Sequence, residues 1–346
     1  MTSSLVGSEM CIRDSNNSDN QIKHRSHHHR HHRRKKFWRI FWIVLGVFLV
    51  VDIIAVIIAW HNIHVATNNM YNPMSNEISD RKVSDTLKDK KPMSLLLLGT
   101  DTGEFGRSYK GRTDTIMMMV INPKTNKSTV VSLPRDMKVN LPDYPDYSPA
   151  KINSAYTYGG VDETAKTIKK YFNIPTDAYV MVNMGGLEKA IDQVGGVTVK
   201  SPLTFDYEGY HFTKGATYHM NGKKALAFSR MRYDDPRGDY GRQERQRLVI
   251  MALLKSSISY KTVVNQPFLN SISKQTMTNL TFDNMVALAQ NYRHATDNVT
   301  TDYAHGQGDW ENGVAYESVR QSECQRISNK LRAALGLKPE TLKTGE

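Results

Sequence analysis

The apolar residues of this chain form one long run near the N-terminus and a series of short runs further on. Residues 37–60 read FWRIFWIVLGVFLVVDIIAVIIAW, and after Arg39 the run contains a single charged residue, Asp52. At about 1.5 Å per residue it is long enough to cross a hydrocarbon core of about 30 Å. Trp42 and Trp60 stand towards its two ends, where indole rings prefer the membrane interface. The pattern predicts one transmembrane helix over residues 37–60.

The charges on the two sides of this run predict its orientation. Its N-terminal flank carries Arg30, Arg33, Arg34, Lys35 and Lys36, whereas the first Lys or Arg after residue 60 is Arg81. The positive-inside rule therefore places residues 1–36 in the cytoplasm and the rest outside the cell. A cleaved signal peptide fits less well, because the apolar run is too long and no small-residue cleavage site follows it.

The N-terminal tail, residues 1–36, combines arginines with six histidines between His24 and His32. Metal binding is one interpretation of this composition. A solvated polybasic segment that touches anionic lipid is the favoured one. Residues 1–15 show no periodicity and resemble a translated adaptor fragment, so they are left out of the fold prediction.

The part of the chain beyond the membrane run alternates between strand-like and helix-like patterns. Residues 61–92 are polar and predict a stalk, after which a domain over 93–337 and a C-terminal tail over 338–346 follow. Strands are predicted at 93–99, 115–122, 128–133, 178–184, 197–199 and 299–303, and helices at 161–172, 187–194, 221–228 and 239–259. The turn at 123–126 predicts a hairpin between the second and third strands. This alternation indicates a layered α/β domain.

Charge and cysteine content narrow the possible ligands only slightly. The chain of 346 residues has a formal net charge of +12, and residues 1–60 hold nine Lys/Arg against four Asp/Glu. The remaining, mildly basic part is compatible with phosphates, anionic glycans or nucleic acid. Cys11 and Cys324 lie on opposite sides of the predicted helix, which excludes a disulfide between them and a thiolate zinc site.

Charged side chains stand at the ends of several predicted apolar elements. Asp101 follows the first strand, Arg112 and Asp114 open the second on the same side of an extended chain, and Arg135 follows the third. Further candidates are Arg230, Arg232, Arg242 and Gln246; the spacing predicts that Arg242 and Gln246 share a helix face with Arg245.

Each of these groups has an ordinary interpretation as well as a functional one. Single surface arginines are usually solvated or weakly paired, and an Asp at a strand end is often a turn residue. Their convergence on strand ends and a helix start is what favours a ligand site. Arginine forks match phosphate oxygens, and Asp101 with Asp114 could hold Mg²⁺. The residues by themselves predict a phosphorylated ligand, with or without a metal.

Seven motifs, in order and spacing, resemble one known family, the LytR–CpsA–Psr proteins. They are LLLLGTD (95–101), RTDTIM (112–117), SLPRD (132–136), KINSAYTYGG (151–160), DQVGGVTV (192–199), MNGKKALAFSRMR (220–232) and GDYGRQERQ (238–246). The resemblance covers residues 93 to about 254, and it is looser after residue 256. The predicted membrane anchor and its orientation are also similar to those of the family.

The resemblance implies a three-layer α/β/α sandwich with a central mixed sheet and an apolar tunnel for a lipid tail. It implies a phosphotransferase that moves a wall teichoic acid, capsular or related polymer from a polyprenyl-pyrophosphate carrier to a hydroxyl of peptidoglycan, outside the membrane. Mg²⁺ would be held by Asp101 and Asp114. The residues implied around the pyrophosphate are Arg112, Arg135, Arg230, Arg232, Arg242 and Gln246. Catalysis would rest on Asp101, Asp114 and Arg135, with Asp114 as the hypothetical proton acceptor.

Two rival functions remain compatible with the sequence. The same site could hydrolyse a pyrophosphate-linked lipid, since nothing in the sequence separates transfer to a glycan from transfer to water. A membrane-bound regulator of envelope genes is the other rival. The tail is short and lacks a helix-turn-helix pattern, so no specific nucleic-acid partner is expected. The helices at 161–172 and 239–259 could line a lipid tunnel or form ordinary core.

Overall fold

A computed structural model describes residues 29–75, 78, 81–100, 111–257 and 273–343. The chain divides into two compact units, Met1–Ile57 and Ile58–Glu346. Helix α1 extends over His29–Met70, ten residues beyond the predicted end of the apolar run. Among the described residues, its part Phe41–Met70 is the one helix long and apolar enough to cross a membrane. The second unit contains the sheet and all the remaining elements described below.

A six-stranded mixed sheet forms the centre of the second unit. The strands of the unit are β1 (Met93–Thr100), β2 (Thr113–Asn122), β3 (Lys127–Leu133), β4 (Lys138–Val139), β5 (Ala150–Lys151), β6 (Ala178–Asn183), β7 (Val197–Lys200), β8 (Phe205–Tyr207), β9 (Tyr210–Phe212), β10 (Thr217–Met220), β11 (Thr276–Thr278), β12 (Val299–Tyr303), β13 (Gln307–Glu311) and β14 (Val314–Ser318). The order in the central sheet is β11-β6-β1-β2-β3-β12. β1 pairs in parallel with β6, and β3 with β12, while the other neighbours are antiparallel.

Helices cover both faces of this sheet. They are α2 (Val83–Lys88), α3 (Ile152–Phe172), α4 (Met184–Gln193), α5 (Gly222–Arg230), α6 (Asp239–Ser257), α7 (Phe282–Asn291) and α8 (Gln321–Leu335). All eight residues of β1 are buried, as a strand covered on both faces requires. Leu96 and Leu98 face a core shared with α3 and α8, whereas Leu95 and Leu97 face a core with Leu87 and Tyr292. The predicted three-layer α/β/α sandwich with a mixed sheet is confirmed.

A smaller core lies beside the main sheet and packs against the second half of α6. It joins α4, α5 and α6 to the short strands β7 to β10. Phe205 and Phe212 stack with ring centroids 4.7 Å apart, and Phe228 of α5 meets Phe212 edge-on at 5.1 Å. Val249 and Leu253 of α6 are buried in this cluster. These two side chains of α6 are therefore ordinary core residues.

The helix predicted at 161–172 begins nine residues earlier, at Ile152. Gly160 interrupts it with φ 73°, a left-handed conformation that glycine adopts without a Cβ penalty. The first half is held by the backbone, because the N–H groups of Ile152 and Asn153 donate to the carbonyls of Met137 and Arg135 at 2.9 and 3.1 Å. The first half also has buried apolar residues at helical spacing, Ile152, Ala155 and Tyr156, and the prediction missed them.

Burial also determines the chemistry of Cys324, the thiol within the described residues. Cys324 is 4% exposed, and burial raises the pKa of its thiol to about 11. At pH 8 this leaves about 100-fold less reactive thiolate than an ordinary cysteine would have. In a Cys11→Ser chain, we expect maleimide to label Cys324 at least about 100-fold more slowly in the folded protein than in urea. Equal labelling rates in the two conditions would contradict this burial.

Candidate functional site

Four charged side chains from three separate elements meet where β2 and α6 begin and β3 ends. Asp114 lies on β2, Arg135 follows β3, and Asp239 and Arg242 lie in the first turn of α6. Nη1 of Arg135 donates to Oδ1 of Asp114 at 2.6 Å, and Nε of Arg135 lies 3.9 Å from Oδ1 of Asp239. Asp239 also forms an ion pair with Arg242. We call these four residues the arginine site.

Alternation along β2 separates Asp114 from the two buried threonines that flank it. Thr113 and Thr115 are buried, Asp114 between them is half-buried, and Arg112 just before the strand is exposed. A strand places alternate side chains on opposite faces, so Asp114 shares a side with Arg112. The hydroxyl of Thr115 donates to Oε1 of Gln246 at 2.7 Å and so ties α6 to β2.

Arg135 lies among three carboxylates. Besides Asp114 and Asp239, Asp136 has its Oδ2 3.6 Å from Nε of Arg135, and the other oxygen of Asp136 is 2.9 Å from Nζ of Lys151. Burial alone would lower the pKa of Arg135, but the charges of Asp239 and Asp114 outweigh it and raise that pKa. The guanidinium therefore remains protonated, and its Nε is buried without a hydrogen-bond partner among the described residues.

Arg242 is the most desolvated cation of the arginine site. Burial lowers the pKa of its guanidinium. The charges of Asp239 and Asp114 raise this pKa, whereas those of Arg135 and Arg232 lower it further. Its contact with Asp239 is short but lacks hydrogen-bond geometry, and its Nε and Nη2 are buried without a hydrogen bond to any described residue. Donors of this kind are costly unless a ligand accepts from them. An anion with several oxygens would supply the missing acceptors.

Comparison with known proteins identifies the family of the chain. The family model that matches is the LytR_cpsA_psr family, over residues 57–333, which is most of the chain. The chain belongs to the LytR–CpsA–Psr family. The resemblance inferred from the seven motifs is thereby confirmed.

Curated relatives of this LytR–CpsA–Psr protein share a function in their names. A polyisoprenyl-teichoic acid–peptidoglycan teichoic acid transferase TagU of Enterococcus faecalis is 41% identical over 259 residues, or 75% of this chain and 84% of the relative. A protein of the same name from Bacillus anthracis is 37% identical over 281 residues, covering 80% of this chain and 91% of the relative.

Solved structures of similar proteins agree with the fold. The crystal structure of B. subtilis TagU superposes with a TM-score of 0.59 at 33% identity, covering 72% of this chain and 99% of that one. A structure described as TagT bound to LI-WTA has a TM-score of 0.60 at 25% identity and covers 77% of this chain and 98% of that one.

The structure brings together some of the residues that the resemblance assigns to the LytR–CpsA–Psr site. Asp114, Arg135 and Arg242 are in one cluster, Gln246 is one turn further along α6, and Arg232 is close enough to shift the pKa of Arg242. Arg230 is half-buried at the end of α5, and burial lowers its pKa. Asp101 lies outside the described residues, so its predicted place beside Asp114 stays a prediction.

The sequence analysis assigned no role to Asp239, which belongs to the arginine site, or to Asp136, which lies next to it. Asp239 lies between Arg135 and Arg242, and Asp136 between Arg135 and Lys151. The spacing of Asp239 and Arg242, three residues apart at a helix start, was an available signal. The proximity of Asp239 to Arg135 depends on tertiary structure, which no local pattern contains.

The prediction that Arg245 shares a face with Arg242 and Gln246 is wrong. Arg245 is completely buried and its guanidinium lies over the ring of Phe205 in the smaller core. It forms an ion pair with Asp235, and its Nε donates to the carbonyl of Phe228 at 3.1 Å. Residues three apart on a helix are offset by about 60°, enough for a long side chain to turn to another partner. Arg245 therefore stabilises the turn between α5 and α6.

Residues that could hold Mg²⁺ are partly visible in the arginine site. Among the described residues there is no group of three or more His, Cys, Asp or Glu side chains placed to hold a metal ion. Magnesium commonly binds to one or two carboxylates and completes its shell with phosphate oxygens and water. The carboxylate of Asp114 fits such a partial ligand set. It is 28% exposed and lies beside Arg135, whose guanidinium can bind phosphate oxygens.

The N-terminal cap of α5, the helix that ends at Arg230, offers a test of what stabilises this helix. Oδ1 of Asn221 accepts from the backbone N–H of Lys224 at 2.9 Å at the start of this helix. Asn221→Ala removes that bond and should lower the free energy of unfolding by about 1 kcal/mol, measured by urea denaturation. Asn221→Ser keeps an oxygen acceptor and serves as the control. If Asn221→Ser lowers the free energy of unfolding as much as Asn221→Ala does, the loss of the cap is not the cause.

Proposed function

We propose that this protein transfers an anionic glycopolymer of the teichoic acid type from a polyprenyl-pyrophosphate carrier to a hydroxyl of peptidoglycan, and forms a phosphodiester link. The observation that carries this proposal is the arginine site, where Arg135 and Arg242 hold buried donor nitrogens that lie near carboxylates but make no hydrogen bond to the described residues. The names of the curated relatives support the same substrate pair. Membrane anchoring by α1 would keep the domain near a lipid-linked donor.

The arrangement matches what phosphoryl transfer demands. The acceptor hydroxyl attacks the phosphorus that bears the glycopolymer, the bond to the bridging oxygen breaks, and polyprenyl phosphate leaves. Such a step needs mainly positioning and neutralisation of charge on the phosphate oxygens. Arg135 and Arg242 are placed to bind those oxygens, and Arg112, Arg230, Arg232 and Gln246 complete the proposed set. When bound at Asp101 and Asp114, Mg²⁺ would withdraw charge from the same oxygens.

The proton of the attacking hydroxyl needs an acceptor, and Asp114 is the proposed one. Its carboxylate is on the rim of the arginine site, 28% exposed, and is oriented by the hydrogen bond from Arg135. A positioned carboxylate can accept a proton in the transition state even when it is a weak base in water. The exposed side of the carboxylate leaves room for an acceptor from outside.

The decisive experiment measures products directly. The full chain in detergent would be incubated with a polyprenyl-pyrophosphate-linked glycan, peptidoglycan oligomers and Mg²⁺, and the products identified by mass spectrometry. Glycan joined to peptidoglycan through a phosphodiester is the expected product, and it should be lost in Arg135→Ala and in Asp101→Ala. Arg320→Ala is the matched control, because Arg320 is exposed and bonded to Gln307 away from the arginine site.

The same experiment separates the rival functions. Released glycan phosphate without joining would replace the transferase by a hydrolase. Absence of turnover with the lipid donor still bound would overturn both reactions and favour a regulator or carrier.

Removal of the metal tests the cofactor separately. If Asp101 and Asp114 hold Mg²⁺, treatment of the protein with EDTA should abolish transfer, and added Mg²⁺ should restore it with saturation. Ca²⁺ at the same concentration is the control, since it prefers more ligands at longer distances than Mg²⁺. Undiminished transfer after complete metal removal would eliminate Mg²⁺ from the proposal and leave the arginines as the sole source of positive charge.

A further inference from the structure

A second polar cavity lies beside the arginine site, between the first turns of α6 and the strands β3 and β12. Its volume is about 170 Å³. Ser132 of β3 and Thr301 and Tyr303 of β12 form one wall, and Tyr240, Gln243 and Arg247 of α6 form the other. We call it the Arg247 cavity. A space of this size is large enough to hold an anionic group with part of a sugar ring.

The guanidinium of Arg247 has few partners for so buried a charge. The residue is 7% exposed, and Nη1 donates to the hydroxyl of Ser132 at 3.1 Å. Its Nε is buried without a hydrogen bond to any residue of the described ranges. Burial lowers the pKa of this guanidinium. A buried cation in this condition is stabilised when an anion joins it.

The two nearest carboxylates are already bound by other cations. Glu244 has its Oε2 2.6 Å from Nη1 of Arg237. Asp302 receives a hydrogen bond from Nη1 of Arg326 at 2.8 Å and forms an ion pair with Lys330. These cations together hold the pKa of Asp302 far below its usual range, although burial opposes them. Both acids are therefore neutralised by other residues, and their attraction for Arg247 is only secondary.

Gln243 supplies a buried acceptor and a link to the arginine site. It is 4% exposed, and its Oε1 is buried without a donor among the residues that the structure describes. Its Nε2 donates to Oδ2 of Asp239 at 2.9 Å. An unfilled acceptor next to an unfilled cationic donor matches a ligand that carries both hydroxyl and anionic groups. The bond to Asp239 makes the cavity the direct neighbour of the arginine site.

Two aromatic rings line the cavity, and a third packs against them. The rings of Tyr240 and Tyr303 are 4.9 Å apart, and His305 lies 4.0 Å from Tyr303, centroid to centroid. The hydroxyl of Tyr240 is fixed, because it accepts from the backbone N–H of Gly306 at 2.8 Å and donates to Glu317. Rigid aromatic faces beside polar groups are suited to the apolar faces of sugar rings.

We propose that the Arg247 cavity is a second binding site, which takes a carboxylate or phosphate group carried by a glycan. Binding itself does not depend on the proposed reaction. The role of the cavity as a substrate subsite rests on the proposed function. In that reaction, two substrate groups have the anionic chemistry that the cavity would bind. One is the phosphate of the transferred polymer, and the other is the lactyl carboxylate of muramic acid in the acceptor.

The test uses ¹⁹F NMR of the full chain labelled with 3-fluorotyrosine, in a neutral detergent without sugar or phosphate. The resonance of Tyr303 is identified by its loss in Tyr303→Phe. The probes are glycerol 3-phosphate and N-acetylmuramic acid, with glycerol and N-acetylglucosamine as their neutral counterparts. We expect a saturable shift of the Tyr303 resonance with at least one anion and none with the neutral compounds. The probe that causes the shift identifies the source of the anion.

Two variants connect the shift to Arg247 itself. Arg247→Met keeps the length of the side chain without its charge and should weaken the binding of the anion at least tenfold. Thr301→Trp leaves Arg247 in place, fills the opening and should also abolish the shift, which keeps the test valid if Arg247→Met does not fold. Arg242→Met should retain the shift, since Arg242 belongs to the neighbouring site.

Three results would overturn the proposal: no saturable shift with either anion, the same shift with the neutral compounds, or a shift that survives with undiminished affinity in Arg247→Met. None of these results requires turnover. A failure of this second site is therefore distinguishable from a failure of the proposed transferase reaction.

Discussion

Asp114→Asn is expected to lower the rate of glycopolymer transfer by about 10²–10⁴-fold, the usual contribution of a positioned proton acceptor. The amide keeps the size of the side chain, and its oxygen can still accept from Arg135, whose Nη1 is 2.6 Å from Asp114 in the wild-type protein. What is lost is the negative charge and the basic oxygen. The rate would be measured with saturating lipid-linked donor and Mg²⁺, using the mass-spectrometric assay.

The dependence of this loss on Mg²⁺ separates the two proposed roles of Asp114. If Asp114 is chiefly a metal ligand, a higher Mg²⁺ concentration should restore much of the rate. If it accepts the proton, the rate should stay low at any Mg²⁺ concentration. Asp136→Asn is the matched control, because Asp136 also approaches Arg135, at 3.6 Å, and it should cost less than tenfold. Wild-type transfer by Asp114→Asn would refute both roles.

Asp235→Ala is expected to lower the free energy of unfolding by about 3–5 kcal/mol, because it would leave the guanidinium of Arg245 buried without its counter-ion. The side chains of both partners are fully buried. Burial alone would raise the pKa of Asp235, but the N–H of Arg237 and the guanidinium of Arg245 outweigh it and lower that pKa. Urea denaturation of the full chain in detergent, followed by tryptophan fluorescence, would measure the loss.

A double variant shows whether the unpaired charge causes the loss. Asp235→Leu combined with Arg245→Met replaces the ion pair by apolar groups of similar length, and should recover most of the stability. Asp302→Ala removes a half-buried carboxylate whose cationic partners Arg326 and Lys330 are accessible to water, so it should cost less. Equal destabilisation by Asp235→Ala and the double variant would show that packing, and not the charge, is responsible.

Three inner strands of the central sheet could be predicted from the sequence because burial on both faces leaves an unbroken apolar run, whereas the short edge strand β11 was not predicted. β1, β2 and β3 were found this way, and the turn before Lys127 sets the register of their hairpin, where Asn122 pairs with Lys127. The short pair β13 and β14 was not predicted. None of its residues is buried, so they lack the apolar signal on which such predictions depend.

The arginine site could be predicted as a set of residue types, but only partly as a geometry. The alternation at the start of β2 favoured Asp114, which the structure places against Arg135, while the role of Arg112 stays a prediction. Which arginines of α6 belong to the site was not contained in the spacing, because Arg242 and Arg245 differ through partners elsewhere in the fold. Asp239 lies beside Arg135 and Arg242, whereas Arg245 is paired with Asp235. Such contacts are decided by the packing of α6 on the sheet.

Helix α6 presents neighbouring residues to three different environments. Gln246 reaches β2, Arg247 reaches β3, and Arg245 reaches the turn after α5. Each residue added to a helix turns everything beyond it by about 100°. A one-residue insertion after Asp239 would therefore turn Arg242 and Arg245 away from Asp239 and Asp235 and so disrupt the arginine site. The exposed positions of this segment can vary in sequence. The number of its residues cannot change without moving Arg245, Gln246 and Arg247 away from their partners.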